Sequence, residues 1–209
     1  MQDADPAIGF LAMPPPSDEA QRLCDEDLAD VGYVMNVSRL WAYQPASLEG
    51  LFELMRQVTA ARPFTLRERG ILVAACASTY GDSYCSLGWG SKLAAQTDPD
   101  LAAGVLRGDT SALSAAERAL AEWAHAVAKD PNGTRPADLQ ALRAAGYSDA
   151  DIFAMTAFIG LRIALSTVND ALGVRPDAEF RDEAPAAVLD AVTFGRPIDD
   201  APAIRRTGR

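Results

Sequence analysis

The sequence is poor in the residues that build disulfide frameworks, metal centres and basic binding surfaces. Its 209 residues include three cysteines and one histidine, and its charges sum to a formal net charge of −10. An odd number of cysteines at unrelated spacings argues against a disulfide framework and fits a reducing compartment. One histidine and scattered cysteines offer no cluster of metal ligands. Because the acidic excess repels a phosphate backbone, we expect no nucleic-acid partner. We also expect no metal, since the ligand cluster is missing, and no other cofactor.

The sequence also lacks a secretion signal and a long apolar run. Its first residues, Met1 to Pro6, carry acid where a secretory signal carries base, and no apolar stretch follows them. The longest apolar run, Ile152 to Leu161, covers about ten residues before Arg162 interrupts it, against the roughly twenty that cross a bilayer. We therefore expect a cytoplasmic protein that does not contact a membrane.

What the sequence does contain is helical periodicity. Alanine is abundant in the periodic segments and the alternation typical of strands is nearly absent, which predicts an all-α fold. Three segments, over about 65–80, 114–129 and 148–171, open with Ser or Thr followed three residues later by Glu or Asp. In this capping box the hydroxyl accepts a hydrogen bond from an otherwise unpaired amide, and the acid reaches back to the cap. These boxes predict the starts of three helices.

Prolines divide the chain into three parts. Residues 1–16 are interrupted by proline, which removes hydrogen-bond donors, and are predicted to form an extended arm. Residues 17–175 are predicted to form one helical domain, and residues 176–209 a proline-rich tail with a short helix near 184–192. Because two extended termini can each cover a neighbour's apolar surface, we expect the tail to pack on a neighbouring subunit of a homo-oligomer.

The segment Thr65 to Ala95 carries the most chemical information. One capped helix breaks at Gly81, and a second begins with Asp82 as its N-cap, which places Cys85 in the first helical turn. Exposed amides and the helix dipole stabilise a thiolate there, although the Asp82 carboxylate opposes its formation. The pattern indicates a reactive cysteine, and a small hydrophobic side chain packed in the core is the alternative interpretation.

In this segment the sequence resembles the AhpD-like alkylhydroperoxidases of the carboxymuconolactone decarboxylase superfamily. The resemblance covers most of residues 31–175. It rests on five short segments: Val37-Ser38-Arg39-Leu40, Gln44-Pro45, Leu66-Arg67-Glu68-Arg69, Tyr84-Cys85 and Asp170-Ala171-Leu172-Gly173-Val174. The resemblance implies a compact helical bundle that assembles as a homo-oligomer, with a peroxidase-related activity.

The redox motif of that family is Glu-x11-Cys-x2-Cys-x3-His, and this chain retains one of its four positions. Aligned on the attacking cysteine, the chain has Cys85 at that position and Asp82 in place of the resolving cysteine. Gly70 replaces the glutamate, and Trp89 replaces the histidine. The resemblance therefore implies that Cys85 meets a hydroperoxide and that an external thiol completes the cycle.

We predict a pocket for a small-molecule substrate near the Gly81 break. Cys85 and Asp82 are its candidate catalytic residues. The candidate substrate-binding residues are Tyr80, Tyr84, Trp89 and Arg162. The aromatic residues have core packing as their alternative role. Arg162 interrupts an apolar run, and a buried guanidinium needs an anion, supplied either by a protein carboxylate or by the substrate.

Three functions remain open at this point. The first is a divergent peroxidase-related oxidoreductase that uses Cys85 alone toward hydroperoxides, with an external thiol as reductant. The second is a cofactor-independent acid/base enzyme, for decarboxylation, isomerisation or cyclisation of a small organic acid, with Asp82 as the titrating group. The third is a non-catalytic binding or scaffold protein, because a fold does not guarantee an activity. Whether the chain is an enzyme is thus undecided by its sequence.

Overall fold

The structure is a computed structural model that describes residues 7–205. This part of the chain is helical, apart from an antiparallel hairpin of two short strands, β1 (Ala7–Ile8) and β2 (Leu11–Ala12). The helices are α1 (Asp18–Asp30), α2 (Asn36–Trp41), α3 (Pro45–Val58), α4 (Leu66–Tyr80), α5 (Ser83–Gln96), α6 (Pro99–Leu106), α7 (Ala115–Lys129), α8 (Pro136–Ala144), α9 (Asp149–Ala171), α10 (Phe180–Glu183) and α11 (Ala186–Ala191). The predicted all-α class is confirmed.

The three predicted capping boxes are all present. In α4, α7 and α9 the N-cap hydroxyl accepts from the backbone amide three residues on, and the acid at that position accepts from the N-cap amide. These helices also end where the sequence predicts, at Tyr80, Lys129 and Ala171. Helix ends are set by neighbouring residues, and this is why a local motif is enough to find them.

Helix α4 lies at the centre of the bundle, and α9 packs beside it. The side chains of Ile71, Leu72 and Ala74 are fully buried, and α4 contacts α5, α6, α7 and α9. Helix α9 is long and apolar enough to cross a membrane by length and composition alone. Its contacts with α3, α4, α7 and α8 place it in the helical bundle. Location in the cytoplasm stays a prediction.

The predicted arm and tail both contact their own chain. Within the arm, residues 1–6 lie outside the described part of the chain. The hairpin that follows packs Ile8 against Tyr84 and Val174, and the amide of Phe10 donates to the carbonyl of Leu172. An arm that covers a neighbour stays a prediction.

The tail was predicted to be extended with one short helix, and over residues 176–205 it forms a second helix, α10, besides α11. The predicted short helix corresponds to α11, whose Val188 is fully buried where α11 contacts α5 and α6. Burial of this apolar side chain compensates for the ordering of a proline-rich segment. Residues 206–209 lie outside the described part, and packing on a neighbouring subunit stays a prediction.

The tail returns to the corner between α4 and α5 through Gly195. Its φ is +71°, and a Cβ there would lie 2.6 Å from the Gly81 carbonyl oxygen. We expect Gly195→Ala to lower the free energy of unfolding by about 2 kcal/mol, because the new methyl group adds strain to a left-handed backbone. Urea denaturation measures this change.

Gly50 in α3 provides the matched control. A Cβ at this position meets no atom within 4 Å, so Gly50→Ala should stabilise the protein by roughly 0.5 to 1 kcal/mol. A Gly195→Ala variant that is as stable as the wild type would contradict this prediction.

Candidate active site

The corner between α4 and α5 positions Cys85. Gly81 ends α4 in the left-handed region with φ of +88°, and its amide and that of Asp82 both donate to the Ala77 carbonyl at 2.9 Å. Asp82 then caps α5, because its Oδ1 accepts from the Cys85 amide at 2.9 Å. The predicted N-cap is therefore present, and Cys85 lies in the first turn of α5.

Four buried polar side chains meet at this corner, and we call them the cysteine cluster: Asp82, Cys85, Arg162 and Ser166. Ser166 Oγ donates to Asp82 Oδ2 at 2.5 Å and lies 3.9 Å from Cys85 Sγ. Arg162 Nη2 donates to Cys85 Sγ at 3.2 Å. Because Arg162 and Ser166 are four residues apart on α9, they occupy the same face of that helix.

Burial changes the expected ionisation of the cysteine. It raises the pKa of the Cys85 thiol to about 12; the Arg162 guanidinium opposes this rise, while the Asp82 carboxylate adds to it through its charge and as a hydrogen-bond acceptor. A helix N-terminus contributes about 0.3 to 1 kcal/mol, whereas full burial shifts a pKa by up to 3–5 units. The thiolate expected from the position in the helix is thus replaced by a neutral thiol.

Arg162 lacks the protein carboxylate that was one of its two expected partners. Its side chain is buried, yet no carboxylate of residues 7–205 lies within 4.0 Å of it, and its Nε has no hydrogen-bond partner there. A buried cation is costly unless an anion compensates it. Asp82 supplies a negative charge in the same cluster without direct contact, so the groups left to contact the guanidinium are the Cys85 sulfur, as a thiolate, and a bound anion.

The cysteine cluster borders a cavity of about 380 Å³ between α5 and α9. This volume suits a small organic molecule. The wall is formed by Val31, Tyr33, Met35, Val37, Phe52, Tyr84, Cys85, Gly88, Trp89, Ser91, Lys92, Arg162, Leu165, Asn169, Phe180 and Glu183. Cys85 is thus buried beside an apolar cavity, with a guanidinium at its sulfur.

Of the residues predicted from sequence, Tyr84, Cys85, Trp89 and Arg162 all line this cavity. The hydroxyl of Tyr84 donates to the Asp177 carboxylate, so its ring forms the wall.

Two predicted site residues do not line the cavity. Asp82 is fully buried, with both carboxylate oxygens hydrogen-bonded to Cys85 and Ser166. Tyr80 was predicted to bind substrate, but its partly exposed side chain donates to or accepts from Thr167 at 2.7 Å. Successive residues of a helix differ by about 100° in direction, so proximity to Gly81 in sequence does not direct a side chain into the cavity.

Sequence reasoning missed Ser166 and Lys92. Ser166 lies one turn after Arg162 on α9, and Lys92 lies three residues after Trp89 and seven after Cys85 on α5. Residues at these spacings lie on the same face of a helix, so helical periodicity could have identified both residues from the sequence.

The pKa of Asp170, near the end of α9, depends in part on the charge of the cysteine cluster. Burial, together with the charge of Asp82, raises the pKa of Asp170 to about 7, against about 3.9 in an unfolded chain. The folded state therefore binds this proton more tightly, and the associated stability is present below pH 4 and lost as pH rises through 7. Asp170→Asn should remove this part of the pH dependence.

The measurement compares the free energy of unfolding at pH 4.5 and 7.5 in the wild type and in Asp170→Asn. Asp182→Asn, at an exposed carboxylate on α10, is the control. If the wild type and Asp170→Asn lose the same stability between the two pH values, the interpretation of Asp170 is wrong.

Comparison with known proteins gives matches among solved structures. No protein-family model matches the sequence, and no curated protein does. An AhpD-core, uncharacterized peroxidase-related protein from Ralstonia eutropha JMP134 is 25% identical, with a TM-score of 0.71 over 83% of this chain and 95% of that one. An uncharacterized peroxidase-related protein from Silicibacter sp. TM1040 is 21% identical, with a TM-score of 0.75 over 88% and 99%.

The debrominase Bmp8 has a similar structure. It is 18% identical to this chain, with a TM-score of 0.68 over 89% of this chain and 100% of that one. A variant of Bmp8 has been solved in complex with 2,3,4-tribromopyrrole, and it matches with a TM-score of 0.65 at 20% identity over 86% and 96%. The chain therefore has the AhpD-like fold, and the resemblance seen in its sequence is confirmed at the level of the fold.

Proposed function

We propose that this chain, with its AhpD-like fold, is a peroxidase-related oxidoreductase that reduces organic hydroperoxides with Cys85 and an external thiol. The observation that carries the proposal is the 3.2 Å contact between Arg162 Nη2 and Cys85 Sγ in the wall of the cavity. A guanidinium without a carboxylate partner favours the thiolate form of a neighbouring cysteine, which is the nucleophilic form.

The first step is a proton transfer inside the cysteine cluster. The Cys85 thiol gives its proton to the Asp82 carboxylate, which accepts a hydrogen bond from the Cys85 amide and acts on the thiol through its charge. The negative charge moves from Asp82 to the sulfur, where Arg162 compensates it. Because the cluster keeps one negative and one positive charge, the transfer adds no net charge to a buried site.

The thiolate then attacks the distal oxygen of the hydroperoxide. An S–O bond forms while the O–O bond breaks, so Cys85 becomes a sulfenic acid and the substrate leaves as an alkoxide. The proton held by Asp82 passes through Ser166, which contacts both the carboxylate and the sulfur, and converts the alkoxide into an alcohol. The hydroperoxide is reduced by two electrons, and the sulfur is oxidised by two.

An external thiol returns the sulfur to its starting state. One thiol attacks the sulfenic acid, water leaves, and a mixed disulfide forms; a second thiol attacks this disulfide and releases Cys85. The other two cysteines do not line the cavity, and all three are free thiols. Burial raises the pKa of the Cys76 thiol to about 12. These observations support an external reductant over an internal disulfide.

The position of Asp82 argues against its acting as an acid or base directly on a substrate. Both of its oxygens are engaged inside the cluster, and its carboxylate does not face the cavity. We therefore assign Asp82 as the proton acceptor for Cys85, and this assignment favours thiol chemistry over acid/base chemistry on an organic acid.

The aromatic wall of the cavity favours reductive dehalogenation as a second candidate. Tyr33, Phe52, Trp89 and Phe180 all line it, and flat apolar surfaces suit a halogenated ring. The thiolate would attack the halogen, the carbon–halogen bond would break, and the carbon would take the proton. Two external thiols would then release halide and restore Cys85 as they form a disulfide.

The test mixes the purified full chain with cumene hydroperoxide and dithiothreitol and follows loss of the hydroperoxide. Dimedone in a second mixture without dithiothreitol traps a sulfenic acid, and mass spectrometry locates the adduct, which we expect at Cys85. A parallel sample receives 2,3,4-tribromopyrrole and is assayed for bromide. Bromide release without hydroperoxide loss would replace the first candidate by the second, and absence of both reactions would overturn both.

A further inference from the structure

Two cations meet at the Trp89 ring in the wall of the cavity. Lys92 Nζ lies 4.8 Å from the ring centroid, and Arg162 Cζ lies 5.6 Å from it. Arg162 is 7% exposed, whereas Lys92 is exposed at the mouth of the cavity. The aromatic ring attracts both cations, but it does not neutralise their charge.

Neither cation has a carboxylate within 4.0 Å among residues 7–205. The chain has 29 acidic residues and 19 basic ones, so two positive charges without a carboxylate partner at one cavity are unexpected from its composition. The carboxylate in the described wall belongs to Glu183, which is exposed. Beyond the wall, Asp30 and Arg69 act on Lys92 with opposite signs. The wall thus carries two positive charges and one negative charge.

The buried Arg162 adds the second observation. Its Nη2 contacts Cys85, but its Nε is buried without a hydrogen-bond partner in the described chain. A native structure rarely leaves such a donor unpaired, because its desolvation is uncompensated. An anion beside Trp89 would lie against the part of the Arg162 guanidinium that lines the cavity and against the ammonium of Lys92.

We infer that the cavity binds a carboxylate-bearing substrate with an apolar body, and that Lys92 is the residue that selects the carboxylate. Val37, Phe52, Leu165 and Phe180 supply the apolar wall for that body. That the bound molecule is reduced as a hydroperoxide rests on the proposed function. That the cavity prefers a carboxylate does not depend on the proposed function. The substrate class is then a hydroperoxide of a small apolar carboxylic acid.

Binding is tested with two unreactive probes of the same shape, 4-isopropylbenzoate and 4-isopropylbenzyl alcohol, by isothermal titration calorimetry on the full chain. The carboxylate should bind at least about tenfold more tightly, the effect expected of one charge-assisted hydrogen bond. Lys92→Met should remove most of this preference, and Lys92→Arg should keep it. Equal affinities for the two probes, or a preference that survives in Lys92→Met, would overturn the inference.

The chain provides a matched control because it contains two lysines, Lys92 and Lys129. Lys129 is exposed at the end of α7 and does not line this cavity. Lys129→Met changes the net charge by the same amount, so an effect confined to Lys92→Met separates a local contact from the general field of the protein.

Turnover separates the inference from the proposed function. With dithiothreitol as reductant, 4-(2-hydroperoxypropan-2-yl)benzoate is compared with cumene hydroperoxide, which lacks the carboxylate. Lys92→Met should raise KM for the first about tenfold without changing kcat. If the protein prefers the carboxylate probe but consumes neither hydroperoxide, the proposed function is wrong and the inference stands. If the protein consumes both hydroperoxides equally and binds both probes equally, the inference is wrong and the proposed function stands.

Discussion

Serine in place of Cys85 should abolish hydroperoxide reduction and leave the protein folded. The hydroxyl is nearly isosteric with the thiol, so the cavity and the cap of α5 keep their shape. It is a much weaker nucleophile, and it cannot cycle through a sulfenic acid. We expect the rate to fall to that of the uncatalysed reaction between hydroperoxide and dithiothreitol, and the dimedone adduct to disappear.

The control for this prediction is Cys24→Ser. Cys24 is a partly exposed residue of α1 and does not line the cavity, so this variant should keep the wild-type rate. Circular dichroism verifies that each variant is folded. Hydroperoxide reduction that persists in Cys85→Ser would show that the sulfur is not the reacting atom.

Asparagine in place of Asp82 should change two properties of Cys85 in opposite directions. Asparagine is as good an N-cap as aspartate, so the start of α5 is retained. Loss of the carboxylate charge removes one cause of the raised pKa of Cys85, so iodoacetamide should alkylate this thiol faster. Hydroperoxide turnover should nevertheless fall by about a hundredfold, because asparagine cannot return a proton to the leaving alkoxide as a general acid would.

The opposite signs make this experiment informative. If Asp82 only positions α5, Asp82→Asn leaves turnover unchanged. If it only suppresses thiolate formation, turnover rises together with alkylation. Only a carboxylate that takes the Cys85 proton and returns it to the leaving alkoxide produces faster alkylation with slower turnover, because iodide leaves without a proton. Ser166→Ala tests the same path, and we expect slower turnover there with Asp82 still in place.

The local parts of the site could be predicted from the sequence. The break at Gly81, the cap at Asp82 and the first-turn position of Cys85 depend on residues within four positions of one another. Capping and helix termination act over this range, so the sequence states them directly. The three capping boxes were predictable for the same reason.

The parts that depend on tertiary packing could not be predicted. Arg162 and Cys85 are 77 residues apart, and a sequence does not show which faces of α5 and α9 meet. The burial that makes Cys85 a neutral thiol comes from the same packing. Arg162 could be recognised as a cation in need of an anion, but its contact with sulfur required the fold.

The tail shows the converse effect, in which tertiary contacts override local composition. Its prolines predict extended chain with one short helix near 184–192, and the segment forms two, α10 and α11, of four and six residues. Val188 nevertheless lies among the core side chains, so part of the segment folds where its apolar residues find a surface.

The tail also holds the two residues that precede Cys85. Ser83 Oγ donates to the carbonyl of Arg196 at 2.8 Å, and Tyr84 donates to Asp177. The proposed chemistry would therefore belong to a unit larger than the helical bundle that contains its reacting groups. A protease that cut after α9 would leave every member of the cysteine cluster on one fragment, and yet we expect the cut to abolish the proposed activity, because it loosens the segment that holds Cys85.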